Sequence, residues 1–255
     1  MTFPTFRLDD KIAIVTGSGQ GIGRSIALGL AHAGAIVVCT DIAFTAARDV
    51  AHELEAMGRP GLPLQVDVAE PPAIAHMVAT VSERYGRIDL LVNNAAIRVH
   101  KRVLDHTLDD WERTLRVNCT APLLASQAVA PVMRAQGGGA IINIASQMAQ
   151  VTHPSRIAYC ASKAALVQTT HVMAVDWAEY GIRVNAVAPG PTKTPFTGAA
   201  TASGAMPIVT GQVPLRRMAD PDEMIGAVVY LASDAASFVT GTVLTVDGGQ
   251  SIHWR

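Results

Sequence analysis

Short, nearly unbroken apolar runs rich in β-branched residues alternate along the whole chain with longer Ala-rich stretches of helical period. The runs are Ile12–Val15, Ala35–Cys39, Leu62–Val66, Ile88–Val92, Ala140–Ile144, Arg183–Val187 and Val243–Val246. Each is short enough for a strand and apolar on both faces, so each needs cover on both sides. Helical period fills the intervals at Ile22–Ala33, Phe44–Met57, Pro72–Tyr85, Leu108–Ala135, Ala158–Tyr180 and Pro221–Ser233. Pro71 and Pro72 suit a helix start, and Gly34, Gly58 and Gly181 suit helix ends. The alternation predicts an α/β fold: one doubly wound, parallel, seven-stranded sheet with helices on both faces, joined by right-handed crossovers.

No linker, charge block or internal repeat divides the chain, so residues 1–255 read as a single domain. The segment Pro191–Met218 breaks the alternation and is rich in Gly, Thr, Ala and Pro, which predicts a substrate lid within that domain. With 49% hydrophobic and 16% charged residues the chain suits a well-buried globule. A formal net charge of −1 gives no electrostatic reason for a nucleic acid or an anionic membrane as partner. No apolar run approaches the ~20 residues of a membrane span. Met1–Asp10 lacks the basic-then-apolar layout of a secretory signal. Cys39, Cys119 and Cys160 stand far apart and suggest no disulfide framework, so a reducing, cytoplasmic setting is expected. Cys160 reads as a small apolar filler.

The first run leads into Thr16-Gly17-Ser18-Gly19-Gln20-Gly21-Ile22-Gly23, and a helix follows at once. Glycines there let the backbone approach a pyrophosphate closely, and helix-terminal amides meet its charge. The spacing departs from the general dinucleotide fingerprint, because Ile22 stands where its last glycine would be. Asp41 ends the second run, where a carboxylate can bond both hydroxyls of an adenosine ribose and repel a 2′-phosphate. That favours NAD over NADP, although Arg24 beside the last glycine could support a 2′-phosphate.

The T-G-x-x-x-G-x-G form resembles the first motif of the short-chain dehydrogenase/reductase family, and further motifs follow in the family's order. Asn93-Asn94-Ala95-Ala96 is similar to its N-N-A-G, with Ala96 in place of glycine. Asn118, Ser146, Tyr159 and Lys163 match its Asn, Ser, Tyr and Lys catalytic set. Pro189-Gly190-Pro191-Thr192-Lys193-Thr194 is similar to P-G-x-V-x-T, and Val246-Asp247-Gly248-Gly249 matches near the end. The resemblance runs from Lys11 to Gly249 and implies a Rossmann-like fold, a homodimer or homotetramer built through two long helices, and a nicotinamide cofactor. It assigns cofactor contacts to Gly17, Gln20, Gly21, Ile22, Gly23, Asp41, Asp67, Val68, Asn94, Ala95, Ala96, Tyr159, Lys163, Pro189, Gly190, Thr192 and Thr194.

The chemistry accounts for the catalytic residues. A secondary alcohol must lose its hydroxyl proton as hydride leaves carbon. A tyrosine of ordinary pKa, about 10, is a poor base at neutral pH. Tyr159 and Lys163 lie four apart and share one helix face, so the ammonium and a positive nicotinamide would favour the phenolate. Ser146 would hold the substrate oxygen. By the resemblance Lys163 also holds the nicotinamide ribose, and Asn118 positions a water in a proton relay.

For the substrate, the basic loop with Arg98 and Arg102, together with Ser146, Met148, His153 and Arg156, borders the expected pocket. Arginines suit an acidic substrate, while the same segment could equally meet a polyol; a solvated basic loop is the plain alternative. No His falls in a metal-ligand pattern, so no metal is expected. The reading is an NAD(H)-dependent oxidoreductase of a polyol, sugar derivative or hydroxy/keto acid. Its alternatives are an NADP-dependent biosynthetic reductase of β-ketoacyl type and a non-catalytic NAD-binding scaffold.

Overall fold

The computed structural model describes residues 4–198 and 210–253. Residues 199–209, the middle of the lid expected at 191–218, lie outside the described residues. Seven strands form one sheet in the order β3-β2-β1-β4-β5-β6-β7, and every pairing is parallel. They are β1 (Ile12–Thr16), β2 (Ile36–Asp41), β3 (Gly61–Gln65), β4 (Leu90–Asn93), β5 (Gly139–Ile144), β6 (Ile182–Pro189) and β7 (Val243–Val246). The chain winds outward from β1 to β3, then crosses back to lay β4 on the other side of β1. The crevice at that reversal is where α/β sheets of this kind bind ligands.

Alternating strand residues supply two cores, one on each face. Ala13 and Val15 enter the layer formed with α1 (Gly21–His32), α2 (Phe44–Ala56) and the helix Ile225–Ala232, here α7. Ile12 and Ile14 enter the opposite layer, with α3 (Pro71–Tyr85), α5 (Ala121–Ala135) and α6 (Ile157–Asp176). Among the described residues no helix is long and apolar enough to cross a membrane. Gly34, Gly58 and Gly181 hold positive φ (116°, 71° and 71°), as their places at helix ends anticipated.

Three predicted helices differ from what forms. The stretch 108–135 is interrupted: α4 (Leu108–Leu115) passes into a π turn, Arg116–Thr120, before α5 begins. Pro122 is the physical reason. It has no N–H to give the carbonyl four residues back, at Asn118, and its ring crowds that carbonyl. The turn therefore widens, and the Ala121 amide reaches the Arg116 carbonyl, five residues back. Elsewhere α6 stops at Asp176 and a 3-10 turn, Ala178–Tyr180, follows it. The segment from Pro221 opens as a 3-10 turn, Pro221–Met224, before α7.

A buried polar chain joins α6 to the sheet. The Asn93 amide donates to the Asn143 side-chain carbonyl (2.9 Å) and to Ser126 Oγ (3.2 Å). Asn143 donates to Thr170 Oγ1 (2.8 Å), which donates to the Leu166 carbonyl (2.7 Å). All four side chains are buried, so each bond left unmade would carry a full desolvation penalty. Directional bonds set the position of α6 along β5 more tightly than apolar contact alone. Asn143→Ala is expected to lower the unfolding free energy by about 1–3 kcal/mol, read from denaturant unfolding, because Asn93 and Thr170 lose a partner without gaining water. An unchanged midpoint would show that the chain is incidental.

Candidate active site

A cleft of about 780 Å³ opens along the C-terminal ends of the strands. Its cofactor half begins at the loop after β1. Gly17 has φ 61°, and a Cβ there would lie 2.9 Å from the Ala95 Cα. A Cβ on Gly23 would fall 2.2 Å from the Gly17 carbonyl oxygen. No side chain larger than hydrogen fits either place. Thr16 Oγ1 accepts from the amides of Asn94 (3.0 Å) and Ala95 (3.2 Å), and Asn94 Nδ2 donates to the carbonyls of Thr16 and Gly17, both at 2.9 Å. Ala96 needs no glycine, since the non-glycine residues of positive φ among those described are Asp10, Ser155 and Arg216.

Helix α1 presents its N-terminus to the cleft with no side-chain cap from Gln20 and no acid in its first turn. Such an end suits a phosphate. The cradle that a Cβ would fill and the uncapped helix together fit a dinucleotide pyrophosphate. Asp41 lines the cleft at the end of β2; its Oδ2 accepts from the Gly19 amide and its Oδ1 from the Ala43 amide, each at 3.0 Å. Arg24 does not line the cleft: its guanidinium is paired with Glu53 of α2, with Nε donating at 2.9 Å.

The catalytic half is set by α6 and by the turn after β5. Tyr159 and Lys163 are both buried on α6 and both line the cleft. Ser146 caps the short turn Gln147–Ala149, where its Oγ accepts from the Met148 amide (3.1 Å), and it lines the cleft beside Tyr159. Lys163 Nζ donates to the Ile144 carbonyl (2.7 Å) and lies 5.9 Å from the centroid of the Tyr159 ring. Burial pulls the Lys163 ammonium down to about 8.

Burial also raises the Tyr159 phenol above its ordinary value, against the opposing pull of Ser146 and the charges of Arg98 and Arg156. The expectation gave that pull to Lys163 and the nicotinamide. In the protein alone it comes first from Ser146 and then from the charges of Arg98 and Arg156.

Of the residues singled out in the sequence, Gly17, Gln20, Gly21, Ile22, Gly23, Asp41, Asp67, Val68, Asn94, Ala95 and Ala96 line the cofactor side. Pro189, Gly190, Thr192 and Thr194 close it from β6 onward, and Arg98, Met148, His153 and Arg156 line the remainder. Two candidates do not line the cleft. Arg102 is solvent-exposed outside it. Asn118 is fully buried behind it, accepting from the Ile97 amide (2.8 Å) and donating to the Ile97 carbonyl (2.9 Å) and Ser162 Oγ (3.0 Å). In this state its side chain orders the loop after β4 and braces α6. Phe196 escaped the sequence reading: its ring lies 6.0 Å from the Tyr159 ring and under the Arg98 guanidinium, 4.6 Å away. An aromatic within an irregular, polar stretch was the only available signal. Among the described residues no group of three or more His, Cys, Asp or Glu is placed to hold a metal.

Comparison with known proteins agrees with this geometry. A family model described as "Enoyl-(Acyl carrier protein) reductase" matches residues 17–251. An NAD-dependent glycerol dehydrogenase of Listeria innocua is 36% identical over 247 residues, covering 97% of this chain and 96% of that protein. A D-threitol dehydrogenase of Mycolicibacterium smegmatis is 37% identical, covering 97% and 95%. The crystal structure of a gluconate 5-dehydrogenase from Burkholderia cenocepacia, in complex with NADP and tartrate, superposes with a TM-score of 0.94 at 38% identity over 98% of each chain. The chain belongs to the short-chain dehydrogenase/reductase family and is an oxidoreductase acting on alcohols.

The lowered pKa of Lys163 links stability to pH. An unfolded lysine titrates near 10.4, whereas the folded one titrates at about 8. Between these values the unfolded chain binds more protons, so the lysine's contribution to stability rises with pH through that window. The unfolding free energy of Lys163→Met relative to wild type is therefore expected to be most favourable at pH 7–8 and to decline towards pH 10. Urea titrations at several pH values check this; a gap that does not change with pH would contradict burial of the charge.

Proposed function

We propose that the protein moves hydride between NAD(H) and a secondary alcohol or ketone, the alcohol being a polyol, a sugar derivative or a hydroxy acid. One observation carries the reading: a buried tyrosine, one helical turn from Lys163, lines the same cleft as Ser146 and the glycine cradle. Bound NAD⁺ supplies the hydride acceptor. Ser146 holds the substrate oxygen, and the Tyr159 phenolate takes the hydroxyl proton as the carbon is oxidised. In the reverse direction the phenol returns that proton to the carbonyl oxygen. Lys163 steadies the phenolate and meets the nicotinamide ribose, and Asn118 orders the water through which the proton leaves. Bringing a phenol of pKa about 10 to neutral pH takes roughly 3–4 kcal/mol of differential stabilisation, within reach of nearby positive charge in a desolvated site.

NAD is favoured over NADP because the Asp41 carboxylate lines the cleft at the end of β2, where it would repel a 2′-phosphate, and Arg24 is engaged by Glu53. The NADP-dependent β-ketoacyl reductase is the weaker reading for the same reason, and a non-catalytic scaffold would have no use for all four catalytic residues. The cysteines are free thiols, which suits a reducing cytoplasm. Exposed Val172 and Val175 on α6 suit a homodimer or homotetramer.

Tyr159→Phe should keep NADH binding and lose turnover by at least roughly 100-fold, since the ring still packs and only the proton-transferring oxygen is gone. A loss within about tenfold, some 1.4 kcal/mol of barrier, would remove Tyr159 as the base. Wild type should prefer NAD⁺ to NADP⁺ in kcat/KM, and Asp41→Ala should narrow or reverse the ratio. Equal use of both cofactors by wild type would refute the assignment.

A further inference from the structure

Two arginines meet at the substrate end of the cleft. Arg98 comes from the loop after β4 and Arg156 from the residue that caps α6, and both are half-buried. Neither has a carboxylate within 4.0 Å among the described residues, and the stretch 199–209 contains no Asp or Glu. Arg98 donates to the Phe196 carbonyl (2.8 Å) and lies over that ring. Among the described residues Arg156 reaches only the Met148 sulfur (3.5 Å), a poor acceptor, and its buried Nε has no partner.

The two guanidiniums are close enough for Arg98 to depress Arg156, and both act on the Tyr159 phenol. The arrangement is built rather than incidental. Ser155, just before Arg156, holds φ 63°, and its carbonyl accepts from the Lys101 amide (3.1 Å), tying the two arginine-bearing loops together. Like charges brought together out of water are unfavourable until an anion joins them, and a buried guanidinium N–H without an acceptor adds to the cost. A carboxylate matches the planar fork of an arginine in geometry as well as charge.

We propose that the substrate is an anionic secondary alcohol, a hydroxy acid whose carboxylate is held between Arg98 and Arg156 while its hydroxyl meets Ser146 and Tyr159. This rests on the hydride-transfer reading and narrows it from polyols, sugars and acids to acids. Arg98 and Arg156 are then specificity-determining residues, with the ring of Phe196 setting the angle of Arg98 above the reacting centre.

The test separates this inference from the reaction itself by measuring binding as well as turnover. NADH-loaded protein is titrated by calorimetry with gluconate and cyclohexanecarboxylate, each beside its neutral partner, glucitol and cyclohexanecarboxamide. Wild type should bind at least one carboxylate more tightly than its partner. Arg156→Gln should weaken that carboxylate by roughly 10- to 150-fold, the range for one charged hydrogen bond, and leave the neutral compound unchanged. Arg98→Lys, which keeps the charge but not the fork, should fall between, and Arg102→Ala should match wild type. In turnover the loss of the carboxylate contact should appear in KM, and any fall in kcat from the Tyr159 phenol losing that charge should be equal for acidic and neutral substrates. Equal affinity for acid and neutral partner in wild type, or equal losses for both in Arg156→Gln, would overturn the proposal. If NAD⁺ yields no NADH with any alcohol, the hydride-transfer reading fails, and the calorimetric preference still decides whether the anion site exists.

Discussion

Asn94 spans the reversal of the sheet, donating from one side-chain amide to the carbonyls of Thr16 and Gly17, while Thr16 receives the amides of Asn94 and Ala95 in return. These four bonds close the gap between the ends of β1 and β4, the one place where two neighbouring strands send their crossovers in opposite directions. The cofactor cradle and the catalytic half of the cleft meet across that seam. A backbone this close tolerates no side chain at Gly17 or Gly23, so the glycine spacing follows from contact as much as from ligand binding.

From that seam the site is assembled by two rigid supports. On one side the cradle passes directly into α1, whose uncapped end points into the cleft. On the other, α6 is fastened to β5 by the Asn93–Asn143–Thr170 chain, and Asn118 braces its first turns through Ser162. Tyr159 and Lys163 therefore stand on a helix with little freedom to slide. Rigidity has an electrostatic cost. Both residues are buried, which disfavours phenolate and ammonium alike. The positive surroundings supplied by Arg98 and Arg156 offset part of the burden on the phenol before any ligand arrives.

Much of this was legible in the chain. Apolar runs of strand length, separated by helical period, led to seven parallel strands between helices, with differences at element ends and at the π turn that splits the stretch 108–135. Gly17, Asp41, Ser146, Tyr159 and Lys163 were placed in one cleft by motif and spacing, and they line one cleft. Two candidates do not line the cleft, and the reason is common to both. Arg98 and Arg102 are equivalent by position in a basic loop, yet only Arg98 turns inward, where the Phe196 ring and carbonyl receive it. Asn118 lies behind the cleft, its side chain bonded to the backbone of Ile97 and to Ser162. Pro122 did carry the signal for the widened turn around Asn118, four residues ahead of it.

The sequence alone determined the class of fold, the glycine cradle and which residues are proposed to transfer the proton, because each depends on local rules: strand and helix period, glycine conformations and residues one helical turn apart. Only the tertiary structure decided what surrounds Tyr159. Arg98 and Arg156 are 58 positions apart in the chain and approach through two loops joined at Ser155 and Lys101. Whether either is balanced by a carboxylate depends on every element packed around the cleft. Charge compensation is a property of three-dimensional neighbours, and no spacing in the sequence encodes it.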